Sequence, residues 1–244
     1  MPVLVEVSGA DSIAAALAFA DSHPEVADYV PSYASTGTEF GDFSGIEANV
    51  ALLREELGLR TGARLSDLVR LADPTLWRAL NGRFASALAA RFGAWLPCVG
   101  CHLYLHVLRV PLARELDTSV IVSGERERHG ARTKANQTPE ALDAYARVLA
   151  HAGIELALPV RGIAATSGIE SLLGPRWPGG SPQLRCVLSD NEKALDGSPV
   201  VSGPPAALLS EYLVPAGMAI VDAMGSGRTD WETVVGDVLA GNHS

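Results

Sequence analysis

The sequence predicts an α/β fold, a doubly wound parallel sheet with a helical insertion. Short β-branched or apolar runs recur, at Val3 to Val7, Ala27 to Ala34, Thr118 to Val122 and Ile154 to Val160. Segments with helical patterning and good caps separate them. The strands run out into loops of Gly, Ser, Thr or charged residues, and open α/β sheets place their ligands along that strand edge.

The first unit is the plainest. Val3 to Val7 reads as a strand buried on both faces. It breaks at Ser8-Gly9, and Asp11 and Ser12 are good N-caps for a helix to about residue 22. A strand, a glycine turn and a helix N-terminus together can hold a phosphate through backbone N–H groups. The second strand runs into Ser35-Thr36-Gly37-Thr38-Glu39-Phe40-Gly41, and a helix follows from about Ile46 to Leu57.

Residues 63–92 read as mostly helical, inside an insertion over 61–95, with Asp73-Pro74 opening a second helix. Trp77, Phe84, Phe92 and Trp95 are expected in the core. Pro97-Cys98-Val99-Gly100-Cys101-His102 then leads into an amphipathic helix from His102 to Glu115.

A polar loop, from Ser123-Gly124-Glu125-Arg126-Glu127-Arg128-His129 through Arg132, Lys134 and Asn136, follows the strand at 118–122. A loop this long after a sheet strand points to ligand contact. Thr138 caps the next helix with Pro139 in its first position. Beyond Arg161, residues 163–200 are Gly/Pro-rich and irregular, and helices are expected at 205–214 and 229–240. The expected division is a core over 1–160 and an extension over 161–244 that carries Cys186 and packs on the core.

With 244 residues, 48% hydrophobic and 19% charged, the chain suits one large α/β domain. Its formal net charge of −9 argues against nucleic acid as substrate, because phosphate contacts call for a basic face. A small molecule is the expected partner. No run approaches the 18 apolar residues of a membrane span, and no basic and apolar leader is present. A cytoplasmic protein without membrane contact is therefore expected. The irregular 163–204 segment suggests a homodimer. There is no Gly-x-Ser-x-Gly elbow, which leaves a serine hydrolase without support.

Three motifs resemble one superfamily. Val7-Ser8-Gly9-Ala10-Asp11-Ser12 is similar to the Ser-Gly-Gly-x-Asp-Ser pyrophosphate loop of the PP-loop ATP pyrophosphatases, which have the HUP (adenine nucleotide alpha hydrolase-like) fold. Val7 and Ser8 stand where that loop has Ser and Gly, so its first glycine is missing. Thr36-Gly37-Thr38-Glu39-Phe40 resembles the Thr-Gly-x-x-Phe element of the phosphoadenylylsulfate reductase and 7-cyano-7-deazaguanine synthase branches. Gly124-Glu125-Arg126-Glu127-Arg128 falls where those relatives carry a Gly-x-Arg loop. The C-terminal cysteine motif of the sulfonucleotide reductases is absent, which argues against sulfate reduction.

The resemblance implies that ATP is split to AMP and pyrophosphate while a substrate oxygen is adenylated. Ser8, Gly9, Ala10, Asp11 and Ser12 would hold the phosphates, with Ser12 hydrogen-bonding and Asp11 helping to hold magnesium. Arg126 and Arg128 would contact phosphate or an acidic substrate, Thr36 and Gly37 would line the adenosine side, and Phe40 and Gly124 complete the nucleotide set.

Cys98, Cys101 and Cys186 are the only cysteines. Their layout resembles that of the iron–sulfur-dependent tRNA thiolation enzymes, in which three cysteines hold a 4Fe–4S cluster with one iron open. On that resemblance the chain is an adenylating sulfurtransferase that acts on a small nucleobase-like or nucleotide-like carbonyl compound and needs a sulfur donor. Other readings stay open. They are an amide- or nitrile-forming ligase with zinc on the cysteines and His102 or His106, a tRNA thiolase, a nucleotide-binding module without turnover, and plain core cysteines. The Cys-x-x-Cys-His haem pattern lacks an export signal. His106 is expected to be structural, and His23, His151 and His243 to lie on the surface.

Overall fold

The computed structural model describes residues 1–179, 183–188 and 203–241. At its centre lies a parallel sheet. Strands β1 (Val3–Glu6), β2 (Asp28–Ser35), β4 (Arg64–Leu65), β5 (Val69–Ala72), β6 (Val120–Val122) and β7 (Glu155–Ala157) make it up. The order is β4-β2-β1-β6-β7, with β5 also pairing β2, and every pair is parallel. A separate antiparallel ribbon joins β3 (Glu39–Phe40) to β8 (Arg185–Cys186).

Alternation along the strands builds a core on each face of the sheet. Val3, Val5, Tyr29, Tyr33 and Val122 point to α1 (Ala10–Ser22), α2 (Ser44–Arg60) and α8 (Thr166–Leu173). Leu4, Val30, Ile121 and Leu156 point the other way, to α5 (Pro97–Val107) and α7 (Pro139–His151). On that second face also lie α10 (Val214–Gly225) and α11 (Trp231–Ala240). This is the expected doubly wound, Rossmann-like α/β fold. After β1 the chain moves to one side of the sheet, and it returns at β6 on the other. The loops after β1 and β6 therefore flank a topological switch point.

Several expected boundaries differ. Helix α1 starts at Ala10 with Gly9 as its N-cap, so Asp11 and Ser12 lie in its first turn and do not cap it. The segment expected to be helical from 63 contributes β4 and β5 first, because Leu65 and Leu71 pair with β2. Helix follows as α3 (Pro74–Trp77), capped by the Asp73 carboxylate, and α4 (Ala85–Phe92). The Cys-x-x-Cys pair sits inside α5, which begins at Pro97, and Pro111 at the start of α6 (Val110–Glu115) accompanies the break from α5.

Near the C-terminus, α9 (Ala206–Leu208) runs through a π-helical turn into α10 as one apolar helix, Ala206–Gly225. By length and composition it could span a membrane, contrary to the expectation that no run would, yet Leu208, Tyr212, Leu213, Val214, Ile220 and Val221 are buried in the core. Of the aromatics expected inside, Trp77, Phe84 and Phe92 pack against that core, whereas Trp95 is 39% exposed. His23 stacks on Phe19 and His151 pairs with Asp222, while His243 lies outside the described residues.

Candidate functional site

The turn after β1 is closed by its own side chain. The Ser12 hydroxyl accepts from Ser8 N at 2.8 Å and donates to Gly9 O at 2.8 Å, while Asn49 Nδ2 donates to Ser8 O at 2.7 Å. This network shapes the turn without the glycine that position 8 lacks. Ser12 is buried, and its proton is engaged inside the loop. Gly124, two residues after β6, lies directly on this turn. A Cβ there would stand 2.4 Å from Ser12 N and 2.5 Å from Asp11 C. The close approach joins the loops on either side of the switch point.

Asp11 faces the same opening, with its side chain 29% exposed and Oδ2 3.1 Å from Arg126 Nε. That N–H does not point at the carboxylate, so the pair is ionic and not a hydrogen bond. The buried Arg126 guanidinium also donates to Ile163 O at 3.1 Å and to His129 Nδ1 at 2.9 Å. Arg126 is thus a framework cation that orients Asp11, whereas Arg128 is exposed. Lys134 stands near Asp11, Glu125 and Cys98. Its side chain is exposed, and Glu125 and Asp11 attract its ammonium.

Glu125 is buried beneath the loop. It accepts from Gln137 Nε2 and pairs with His102 Nδ1, and His106 Nε2 lies 3.7 Å away. Burial would raise its pKa, but His102 beside it, then His106 and the Gln137 amide, hold it below the ordinary carboxylate value. Deeper still, His106 Nδ1 is 2.7 Å from Glu6 Oε1, and Arg109 Nη1 is 3.2 Å from the same oxygen. Arg109 Nε donates to Ser32 Oγ at 2.8 Å. Burial pushes the Glu6 carboxyl up, yet Arg109 and His106 outweigh it and leave the group at about 2.

The cysteines gather at the neighbouring end of β2. Cys186, on β8, is paired in register with Glu39 on β3. Glu39 accepts from the Thr36 hydroxyl at 2.6 Å, and the Thr36 and Thr38 hydroxyls are 2.7 Å apart. Thr38 Oγ1 is 3.1 Å from Cys186 Sγ. A carboxylate only accepts, so the chain runs from the Cys186 thiol through Thr38 and Thr36 to Glu39. Cys101 Sγ accepts from Trp77 Nε1 at 3.3 Å and interacts with the Thr36 side chain. Burial pushes the Cys101 thiol up to about 12. Cys98 Sγ faces Leu188 O at 4.0 Å, and Leu188 N donates to Cys186 Sγ at 3.4 Å.

Three uncrosslinked thiols therefore converge around Thr36, Thr38 and residues 186–188. Among the described residues, no three His, Cys, Asp or Glu side chains close on a single metal ion. His102 and His106 are turned to carboxylates and do not join the thiols, which removes the geometry expected for zinc with either histidine. By donor type, three thiols without a histidine beside them are the set that ligates an iron–sulfur cluster and not a mixed cysteine–histidine zinc site. A Cβ at Gly100, between the cysteines, would lie 2.3 Å from Asn81 Oδ1 and would displace that amide.

The expected site residues divide accordingly. Ser8 to Ser12, Gly124 and Arg126 come together at the β1–β6 opening. Thr36 and Gly37 belong to the cysteine side. Phe40 is half exposed on the face of the ribbon opposite Glu39 and Cys186, with the Arg185 guanidinium 5.4 Å over its ring. Sequence reasoning placed Trp77 only in the core and Glu125 and Asn136 only within the polar loop, and it gave Glu6, Arg109 and Gln137 no role in the site. Glu6 offered a signal, a carboxylate in a strand whose neighbours are all apolar.

No family model matches the chain. It is 33% identical over 233 residues to the uncharacterized protein MJ0009 of Methanocaldococcus jannaschii, an alignment covering 94% of this chain and 83% of that protein. The crystal structure of a 4-thiouridine synthetase–RNA complex with bound ATP is similar in fold, with a TM-score of 0.54 at 15% identity. That match covers 98% of this chain and 53% of the synthetase, so the chain spans about half of its length.

Proposed function

The chain belongs to the family of the uncharacterized protein MJ0009, and from that premise we propose that it is a PP-loop-type, ATP-dependent sulfurtransferase. It adenylates a carbonyl oxygen of a small nucleobase-like or nucleotide-like acceptor and replaces that oxygen with sulfur. The observation that carries this reading is the placement of a phosphate-type turn and three cysteines at the ends of adjacent strands, β1 and β2. The ATP-bound synthetase of similar fold supports it. The net charge of −9 favours a small acceptor over RNA.

In this reading the α1 N-terminus and the Gly9 turn receive the phosphates. The acceptor oxygen attacks the α-phosphorus, the α–β phosphoanhydride bond breaks, and pyrophosphate leaves with the electron pair. Sulfide from a donor then adds to the activated carbon, and AMP departs with the former carbonyl oxygen. Asp11, held by Arg126 with part of its carboxylate open, would hold magnesium, which offsets charge on the leaving group. Lys134 adds a cation between the phosphate and thiol sides. Cys98, Cys101 and Cys186 would hold a 4Fe–4S cluster, whose open iron supplies a thiophilic site for the sulfur donor.

The test is iron and acid-labile sulfide analysis of protein purified without oxygen, with pyrophosphate release assayed against candidate carbonyl compounds. About four irons and four sulfides per chain are expected. Protein without iron, or iron retained in full by Cys186→Ser, removes the cluster.

A further inference from the structure

One unbroken run of side-chain contacts crosses from the phosphate turn to the helix that carries Cys98 and Cys101. It leaves Asp11 through the ion pair with Arg126. The Arg126 guanidinium donates to His129 Nδ1 at 2.9 Å, so the neutral imidazole carries its proton on Nε2 and donates to Gln137 Oε1 at 2.6 Å. The Gln137 amide nitrogen donates to Glu125 Oε2, and His102 Nδ1 donates to Glu125 Oε1. Asn136 Nδ2 donates to His102 Nε2 at 2.7 Å, which fixes that tautomer as well. His102 follows Cys101 directly in α5.

Each donor direction is set by the preceding link, and Glu125, Arg126, Asn136 and Gln137 are all buried. Apolar residues fill a core at least as well as buried charges, whereas a connected polar network specifies one geometry; within this run Arg126 Nε makes an ion pair but no hydrogen bond. Phosphates or magnesium entering the turn would compete for Asp11 or for Arg126. The guanidinium, also tied to Ile163 O and His129, would then shift the links beyond it.

We infer that Glu125 is a positioning residue that joins the two halves of the site, so that nucleotide bound at the β1–α1 turn alters the Cys98–Cys101 turn through Arg126, His129, Gln137 and His102. This rests on the nucleotide reading of that turn. The coupling is reciprocal, so cysteine occupancy would alter nucleotide affinity by the same factor.

The experiment is hydrogen–deuterium exchange by mass spectrometry on the purified full chain, with and without magnesium and a non-hydrolysable ATP analogue. Exchange in peptides covering 8–16, 124–137 and 97–107 is expected to change together, by roughly fivefold in the last. In Gln137→Met, which cuts both central links, the change at 8–16 persists and that at 97–107 disappears. A wild-type response at 8–16 with none at 97–107 overturns the inference whether or not the variant folds, and so does a response at 97–107 that survives Gln137→Met. No response anywhere removes the nucleotide reading, and this inference with it.

Discussion

Gly124 lies against the backbone of Ser12 so closely that a single added carbon at position 124 would stand 2.4 Å from Ser12 N. The obstructing atoms are backbone, which cannot swing aside as a side chain can. Gly124→Ala therefore displaces the turn. The expected cost is about 1–3 kcal/mol in urea-unfolding stability, accompanied by loss of nucleotide binding. An alanine variant with wild-type stability and affinity would show that the two loops are not packed in this way.

Arg126 and Arg128 were alike in the sequence but have different tasks. Arg126→Ala removes a buried side chain and leaves Ile163 O and His129 without their donor, and is expected to destabilise by about 1–3 kcal/mol. Arg128→Ala, on the surface, is expected to stay within about 0.5 kcal/mol. Thermal denaturation of the two variants side by side checks the contrast, and equal effects would contradict it.

Glu6 carries a pH signature. Its folded carboxyl sits at about 2, below the ordinary 4.5, so its contribution is complete above about pH 4.5 and is lost as the pH falls toward 2. Glu6→Gln leaves Arg109 buried without its carboxylate, costing about 3 kcal/mol near neutral pH. Urea midpoints followed downward from about pH 5 should fall less steeply in Glu6→Gln than in the wild type. Parallel pH profiles would refute the assignment.

Cys101 is held protonated by burial, with its thiol at about 12 when no metal is bound. Metal-free protein should alkylate slowly at this residue near neutral pH, and reconstitution with iron and sulfide should improve as pH rises, because ligation releases the proton. Peptide mapping after brief iodoacetamide treatment reads the first point. Rapid alkylation of Cys101 would contradict its enclosure beside Trp77.

Much of this was legible in the sequence. β-branched runs followed by capped helices gave the doubly wound sheet, and Asp73 and Thr138 cap their helices as their residue types imply. The strands β4 and β5 were missed because Arg64–Leu65 and Val69–Ala72 are too short to show a period of two and gain their structure by pairing with β2. The strand, turn and helix around Ser8 to Ser12 were legible because their contacts are local. The site was obscure where it depends on contacts distant in sequence. Glu6 meets Arg109 across about a hundred residues, and Glu125 gathers His102 and Gln137 from different elements. Phe40 was placed with the nucleotide by its motif; the ribbon that sets its ring half exposed comes from pairing with Arg185, far along the chain.

Titration calorimetry with magnesium and ATP, on the wild type and on Gly124→Ala, tests the central claim most directly. The account predicts one nucleotide bound per wild-type chain and none detected for the variant. A wild-type chain that binds no ATP would contradict it, whatever metal its cysteines hold.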